Sequence, residues 1–156
     1  MFTACKLLLL PAALLWCGAA CAQPVSVPGQ PPRPSLKERA ANGDAEAQFN
    51  LAKMYETGRS GYKKDFREAE HWYRLSAEQG DVFAQASLAI LFRFGKGIPQ
   101  DLVQAYKWFS IAASRPSEGA EESIAEMRDA TAVHMTPDQL AEARRLAHEW
   151  KPQTMH

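Results

Sequence analysis

Beyond Cys21 the chain has no cysteine; Cys5, Cys17 and Cys21 are the only three. A domain built from the remainder can form no disulfide and no thiolate metal site, so an apolar core must hold it together. An excess of one charge is missing too. Lys and Arg number 18, Asp and Glu 18, for a formal net charge of zero. Nucleic acid or an anionic membrane surface usually calls for a basic face, so neither is an expected partner. The four histidines, His71, His134, His148 and His156, include no i,i+4 pair, and the acidic residues show no ligand spacing. No metal and no cofactor is therefore expected. Apolar runs are also short. Leu7 to Trp16, LLLLPAALLW, is too brief to span a membrane.

That run instead reads as the core of a leader. Lys6 precedes it and Ala20-Cys21-Ala22 follows it, so residues 1–22 have the layout of a secretory signal peptide cleaved after Ala22. The alternative is a lipoprotein, with Gly18-Ala19-Ala20-Cys21 as the processing box and Cys21 as the lipid anchor, although Gly stands where a Leu-like residue is usual. After either cut the mature chain has no transmembrane segment, and a periplasmic or secreted location in a bacterium follows. Residues 23–34, QPVSVPGQPPRP, form a proline-rich linker with an extended backbone.

The folded part, residues 35–152, is organised by an internal repeat. GDAEAQFNLAKMYETG from Gly43 to Gly58 returns as GDVFAQASLAILFRFG from Gly80 to Gly95. Gly61, Asp65, Ala69, Trp72 and Ala77 are answered by Gly97, Asp101, Ala105, Trp108 and Ala113. A period of this size marks a helical solenoid, whose units cannot bury their apolar faces alone. Repeat one spans 43–79 and repeat two 80–115; a worn third repeat and a closing helix occupy 116–150. Ser35 with Glu38 forms a capping box opening a short leading helix. Asp44, Asp65, Asp81 and Asp101 start the four helices of the intact repeats, Glu68 and Gln104 standing at capping-box positions after Asp65 and Asp101. Gly58, Gly61, Gly95 and Gly97 turn the chain within each repeat, and Gly43 and Gly80 turn it into one. Thr136-Pro137-Asp138-Gln139 opens the last helix, which faces inward through Leu140, Ala143, Leu146, Ala147 and Trp150. The fold class is all-α: an α/α superhelix of short antiparallel helix pairs.

The motif GDAxAQxxLAxxYxxG, then G-x-x-x-D-x-x-x-A-x-x-WY-x-x-SAxQG, resembles the Sel-one-like repeat family, relatives of the tetratricopeptide repeat. Asp44, Gln48, Leu51, Tyr55, Gly58, Asp65, Trp72, Tyr73 and Gly80 fall on its positions, and repeat two departs in placing Phe92 where Tyr is usual. The resemblance implies a tetratricopeptide-like solenoid serving as a non-enzymatic adaptor, often exported in bacteria, that binds a protein or peptide on its concave surface. It also admits an immunity-type protein that neutralises a secreted toxin.

Signs of chemistry are poor beside this. Ser60-Gly61-Tyr62-Lys63 has the Ser-x-x-Lys spacing of penicillin-interacting enzymes but lacks their SDN-like and KTG elements. Gly95-Lys96-Gly97 lacks the run that cradles a phosphate. A small envelope hydrolase is thus the weaker alternative, and no catalytic residue is assigned. The candidate site is a stripe. Glu46, Asn50, Lys53 and Thr57 of repeat one align with Phe83, Ser87, Ile90 and Phe94 of repeat two, at i, i+4, i+7 and i+11. Where repeat one carries polar groups, repeat two carries an apolar row. Phe83, Ser87, Ile90 and Phe94 are the expected partner contacts, with Lys53, Tyr55 and Arg93 around them. The competing expectation is that Phe83, Ile90 and Phe94 are packed under the neighbouring helix of the third repeat or under the proline-rich linker folding back.

Overall fold

The computed structural model describes residues 34–115 and 119–153. The leader, both processing sites and the linker up to Arg33 lie outside the described residues, as does Pro116 in the turn of the third repeat. Seven helices occupy the rest: α1 (Leu36–Ala41), α2 (Ala45–Thr57), α3 (Phe66–Glu78), α4 (Val82–Phe94), α5 (Leu102–Ala113), α6 (Glu121–Ala132) and α7 (Pro137–Glu149). Successive helices from α1 to α6 pack on one another, giving a solenoid of antiparallel pairs.

The starts and stops have the local causes read from the repeat. Asp44 accepts from the Ala47 amide at 3.0 Å, and its counterpart Asp81 accepts from the Ala84 amide at 2.7 Å. Gly58 and Gly95 end α2 and α4 in the left-handed region, at φ 70° and 62°, each amide donating back to Met54 and Leu91. Capping boxes close fully at Ser35/Glu38 and Thr136/Gln139. At Asp65 and Asp101 only half of the box forms. The aspartates accept from the amides of Glu68 and Gln104, but their own amides are already bonded to the carbonyls of Tyr55 and Phe92 at 2.9 and 3.0 Å. With that donor engaged, Glu68 turns outward and accepts the Trp72 indole N–H at 3.2 Å.

Alanines line the helix crossings: Ala47, Ala69, Ala77, Ala84, Ala89, Ala105 and Ala112 are fully buried. Side chains this small let helix backbones approach closely, and Tyr73, Leu88, Leu91, Trp108 and Phe109 fill the space between. The two repeat tryptophans fare differently. Trp72 is half-buried, whereas Trp108 is covered by Trp150, whose ring meets it edge-on at 6.0 Å.

The third repeat does not continue the pattern. The helix after α6 packs against α5 rather than pairing chiefly with α6. Where α2 and α4 end on a left-handed glycine, α6 ends at Val133 in right-handed geometry, so its exit direction differs. Of α6 only Ile124 and Thr131 are buried, and of α7 only Ala143, with Leu140, Leu146, Ala147 and Trp150 half-buried. Both helices turn polar faces outward, as the end of a solenoid requires.

Candidate partner-binding surface

Helices α2 and α4 hold equivalent places in successive repeats, and each has one side left over from core packing. On α2 that side carries Glu46, Lys53 and Thr57, all exposed, with Asn50 half-buried. On α4 it carries Phe83 and Phe94, which are 58% and 59% exposed. Ser87 and Ile90, between them, are half-buried, and Ile90 also packs on the core. The third repeat leaves Phe83 and Phe94 more than half exposed, and the chief packing partners of α4 are α3 and α5. Along a helix, the eleven-residue step from Phe83 to Phe94 is roughly 16 Å.

Phe49, on α2, joins this surface although the repeat alignment does not point to it. Its ring lies 6.4 Å from that of Phe83 and 5.8 Å from that of Tyr73. It stands three residues after Glu46 and four before Lys53, so helical spacing places it beside the polar stripe. The Lys53 ammonium is 5.5 Å from its ring centroid. At the other end, the Arg93 guanidinium and the Lys96 ammonium lie 5.2 and 5.8 Å from the Phe94 ring, and Arg93 also donates to the Met127 carbonyl of α6 at 3.5 Å. Tyr55 belongs elsewhere. Two residues on from Lys53, it points to the opposite side of α2, meets Tyr62 edge-on at 5.2 Å and packs beside Ala47 and Leu51.

Beneath the aromatic rings lies a polar contact that fixes the floor. The buried Tyr73 hydroxyl donates to a Glu56 carboxylate oxygen at 2.7 Å, and the Ser87 hydroxyl also hydrogen-bonds it. Burial, then the adjoining Glu56 carboxylate, pushes the Tyr73 phenol well above its usual range. It stays neutral and rigid, a support rather than an acid or base.

Of the motifs with possible chemistry, Ser60 sits in an exposed turn at φ 56° and not at a helix start. His71 lies edge-on to Trp72 at 5.2 Å. Among the described residues no group of three or more His, Cys, Asp or Glu is placed to hold a metal ion, and no helix is long and apolar enough to cross a membrane.

Comparison with known proteins gives the same architecture. The Sel1 repeat family matches residues 45–81 and 82–117. A protective antigen of uropathogenic Escherichia coli with an SLR fold is 35% identical, with a TM-score of 0.67 over 74% of this chain and 24% of that one. A Sel1 repeat protein from Oxalobacter formigenes is 26% identical, with a TM-score of 0.52 over 71% of this chain and 46% of that one. A chitin synthase regulator of Saccharomyces cerevisiae is 31% identical over 84 residues, 53% of this chain and 12% of that protein. The chain thus spans less than half the length of each of these relatives. Two matched repeats, the paired helices and the shared fold make this chain a Sel1-repeat, tetratricopeptide-like helical repeat protein.

Proposed function

We propose that this chain is an exported, non-enzymatic binding module of the bacterial envelope, holding a protein or peptide partner on the α2–α4 surface. The observation that carries the reading is the pair Phe83 and Phe94, both more than half exposed on one row of α4. Large apolar side chains grouped on a surface mark interaction sites, and aromatic residues supply most of the affinity at such sites. The leader read at residues 1–22 supports export. Nothing in the surface converges as nucleophile, base and oxyanion donors must converge in an enzyme.

The test is recovery of partners from a periplasmic extract with the wild-type chain and with the Phe83→Ser, Phe94→Ser double variant. Both positions are exposed, so the variant keeps the wild-type helical circular dichroism. The expected result is one or more partners held by the wild type and lost by the variant. A folded variant that keeps every partner at unchanged affinity contradicts the proposal. A secreted toxin among the partners would assign the immunity-type role.

A further inference from the structure

We infer that the occupant of the α2–α4 surface is a short segment of another protein that pairs large apolar side chains with carboxylates, its acidic end lying at Phe94. This rests on the reading of that surface as a peptide site and adds the chemistry of what it takes.

The inference comes from where the cations stand. Lys53 lies over Phe49, and both Arg93 and Lys96 lie over Phe94. Among the described residues none of these three is in an ion pair. Lys37, Lys64 and Lys107 are likewise unpaired over Tyr62, Phe66 and Trp108, but those rings are half-buried or buried, whereas Phe94 is exposed. A cation on an aromatic face is partly desolvated, and an apolar side chain arriving on the ring removes more of its water. That loss is offset when the arriving segment brings a carboxylate within reach of the cation. The Glu56 carboxylate of α2 accepts from the Tyr73 hydroxyl, and none of the ion pairs among the described residues joins it to these cations.

Polarity along the surface gives the orientation. Two of the three cations gather at Phe94, while the opposite end carries the exposed Glu46. An extended segment covering the roughly 16 Å between Phe83 and Phe94 needs about five residues.

Other occupants fit less well. The chain's own linker, residues 23–34, has Arg33 as its only charged residue and would bring a cation to cations. A second copy docked about a two-fold axis sets the Phe94 end of one patch against the Phe83 end of the other, where Glu46 is a single carboxylate for the two cations Arg93 and Lys96. A polyphosphate backbone needs a continuous row of cations, and the exposed Glu46 and Glu126, at stripe positions of α2 and α6, interrupt it.

The experiment selects a displayed library of random short peptides against the full chain and against the Lys53→Glu, Arg93→Glu, Lys96→Glu triple variant, with circular dichroism to show that both are folded. The wild type is expected to enrich peptides pairing Leu, Phe or Trp with Asp and Glu. Their affinity should fall at least tenfold in the triple variant and weaken with rising salt, while the variant enriches peptides pairing the same apolar residues with Lys and Arg. Peptides enriched without regard to charge, or basic peptides enriched by the wild type, overturn this inference and leave the peptide-site reading standing. If neither protein enriches any peptide, the reading of the surface itself fails along with it. Sedimentation that shows a wild-type dimer dissolved by Phe83→Ser assigns the surface to a second copy and overturns the inference as well.

Discussion

The side-chain amide of Gln85, at the start of α4, donates to the main-chain carbonyl of Ala77, at the end of α3, at 3.0 Å. The same bond occurs one repeat earlier, from Gln48 to the Ala40 carbonyl at 3.1 Å. Both glutamines are buried. Each clips the carbonyl end of one helix to the first turns of the next, adding a second donor to a carbonyl that also accepts from the amide of Gly80 or Gly43, at 3.0 and 3.1 Å. Gln85→Leu keeps the bulk, removes the bond between the helices and leaves the Ala77 carbonyl with the Gly80 amide alone, and should cost about 0.5–1.5 kcal/mol. Urea unfolding of the variant measures it, and the midpoint should fall with the slope unchanged.

The glycine turns are a second test. A Cβ at Gly58 would sit 3.2 Å from the Lys64 Cβ and 3.3 Å from its amide nitrogen, and one at Gly95 would meet the Cβ and amide of Gln100 at 3.3 Å. Crowding by the main chain adds to the left-handed φ at both positions. Gly58→Val and Gly95→Val should each destabilise by about 2 kcal/mol or more, read as a drop in melting temperature.

How much of this the chain disclosed in advance depended on repetition. The bounds of α2 and α4 and the turns at Gly58 and Gly95 could be read because the same residues do the same job twice. Repetition also hid things. Phe49 aligns with Ala86, so comparing the repeats pointed away from it, and only its contact with Phe83 places it in the surface. Tyr55 is near Lys53 in sequence, but two residues along a helix turn a side chain to the far side. The half-formed boxes at Asp65 and Asp101 depend on amides bonded to carbonyls ten and nine residues earlier, a tertiary fact that a local motif does not contain. Likewise the seat of α7 on α5 was not written in the capping signals at Thr136 and Gln139, which fix where that helix starts and not what it meets.

Trp150 closes the array by covering Trp108. Trp150→Ala should uncover the indole of Trp108 and cost about 2–3 kcal/mol, below the full-burial range because Trp150 is itself only half-buried. Tryptophan emission in the native state should shift to the red and the melting temperature should fall.

Tyr73 makes stability depend on alkaline pH. Its phenol is held above the ordinary value near 10 in the fold and returns to it on unfolding. A group with a raised folded value contributes stability that is whole below about pH 10 and is lost as pH rises above that. Of the four tyrosines, Tyr73 should ionise last in an ultraviolet titration of the native chain. Tyr73→Phe should lose less stability than the wild type between about pH 10 and 11.

The central claim is that the row from Phe83 to Phe94 is a free surface that a partner covers, and hydroxyl-radical footprinting with mass-spectrometric readout tests it most directly. In the free chain Phe83 and Phe94 should oxidise readily, as should Val133, which is 80% exposed at the turn after α6. With the selected peptide or captured partner bound, oxidation of Phe49, Phe83 and Phe94 should fall several-fold while Val133 stays unchanged. Phenylalanines as reactive in the complex as in the free chain, with protection appearing instead around Val133 or α7, would contradict the account.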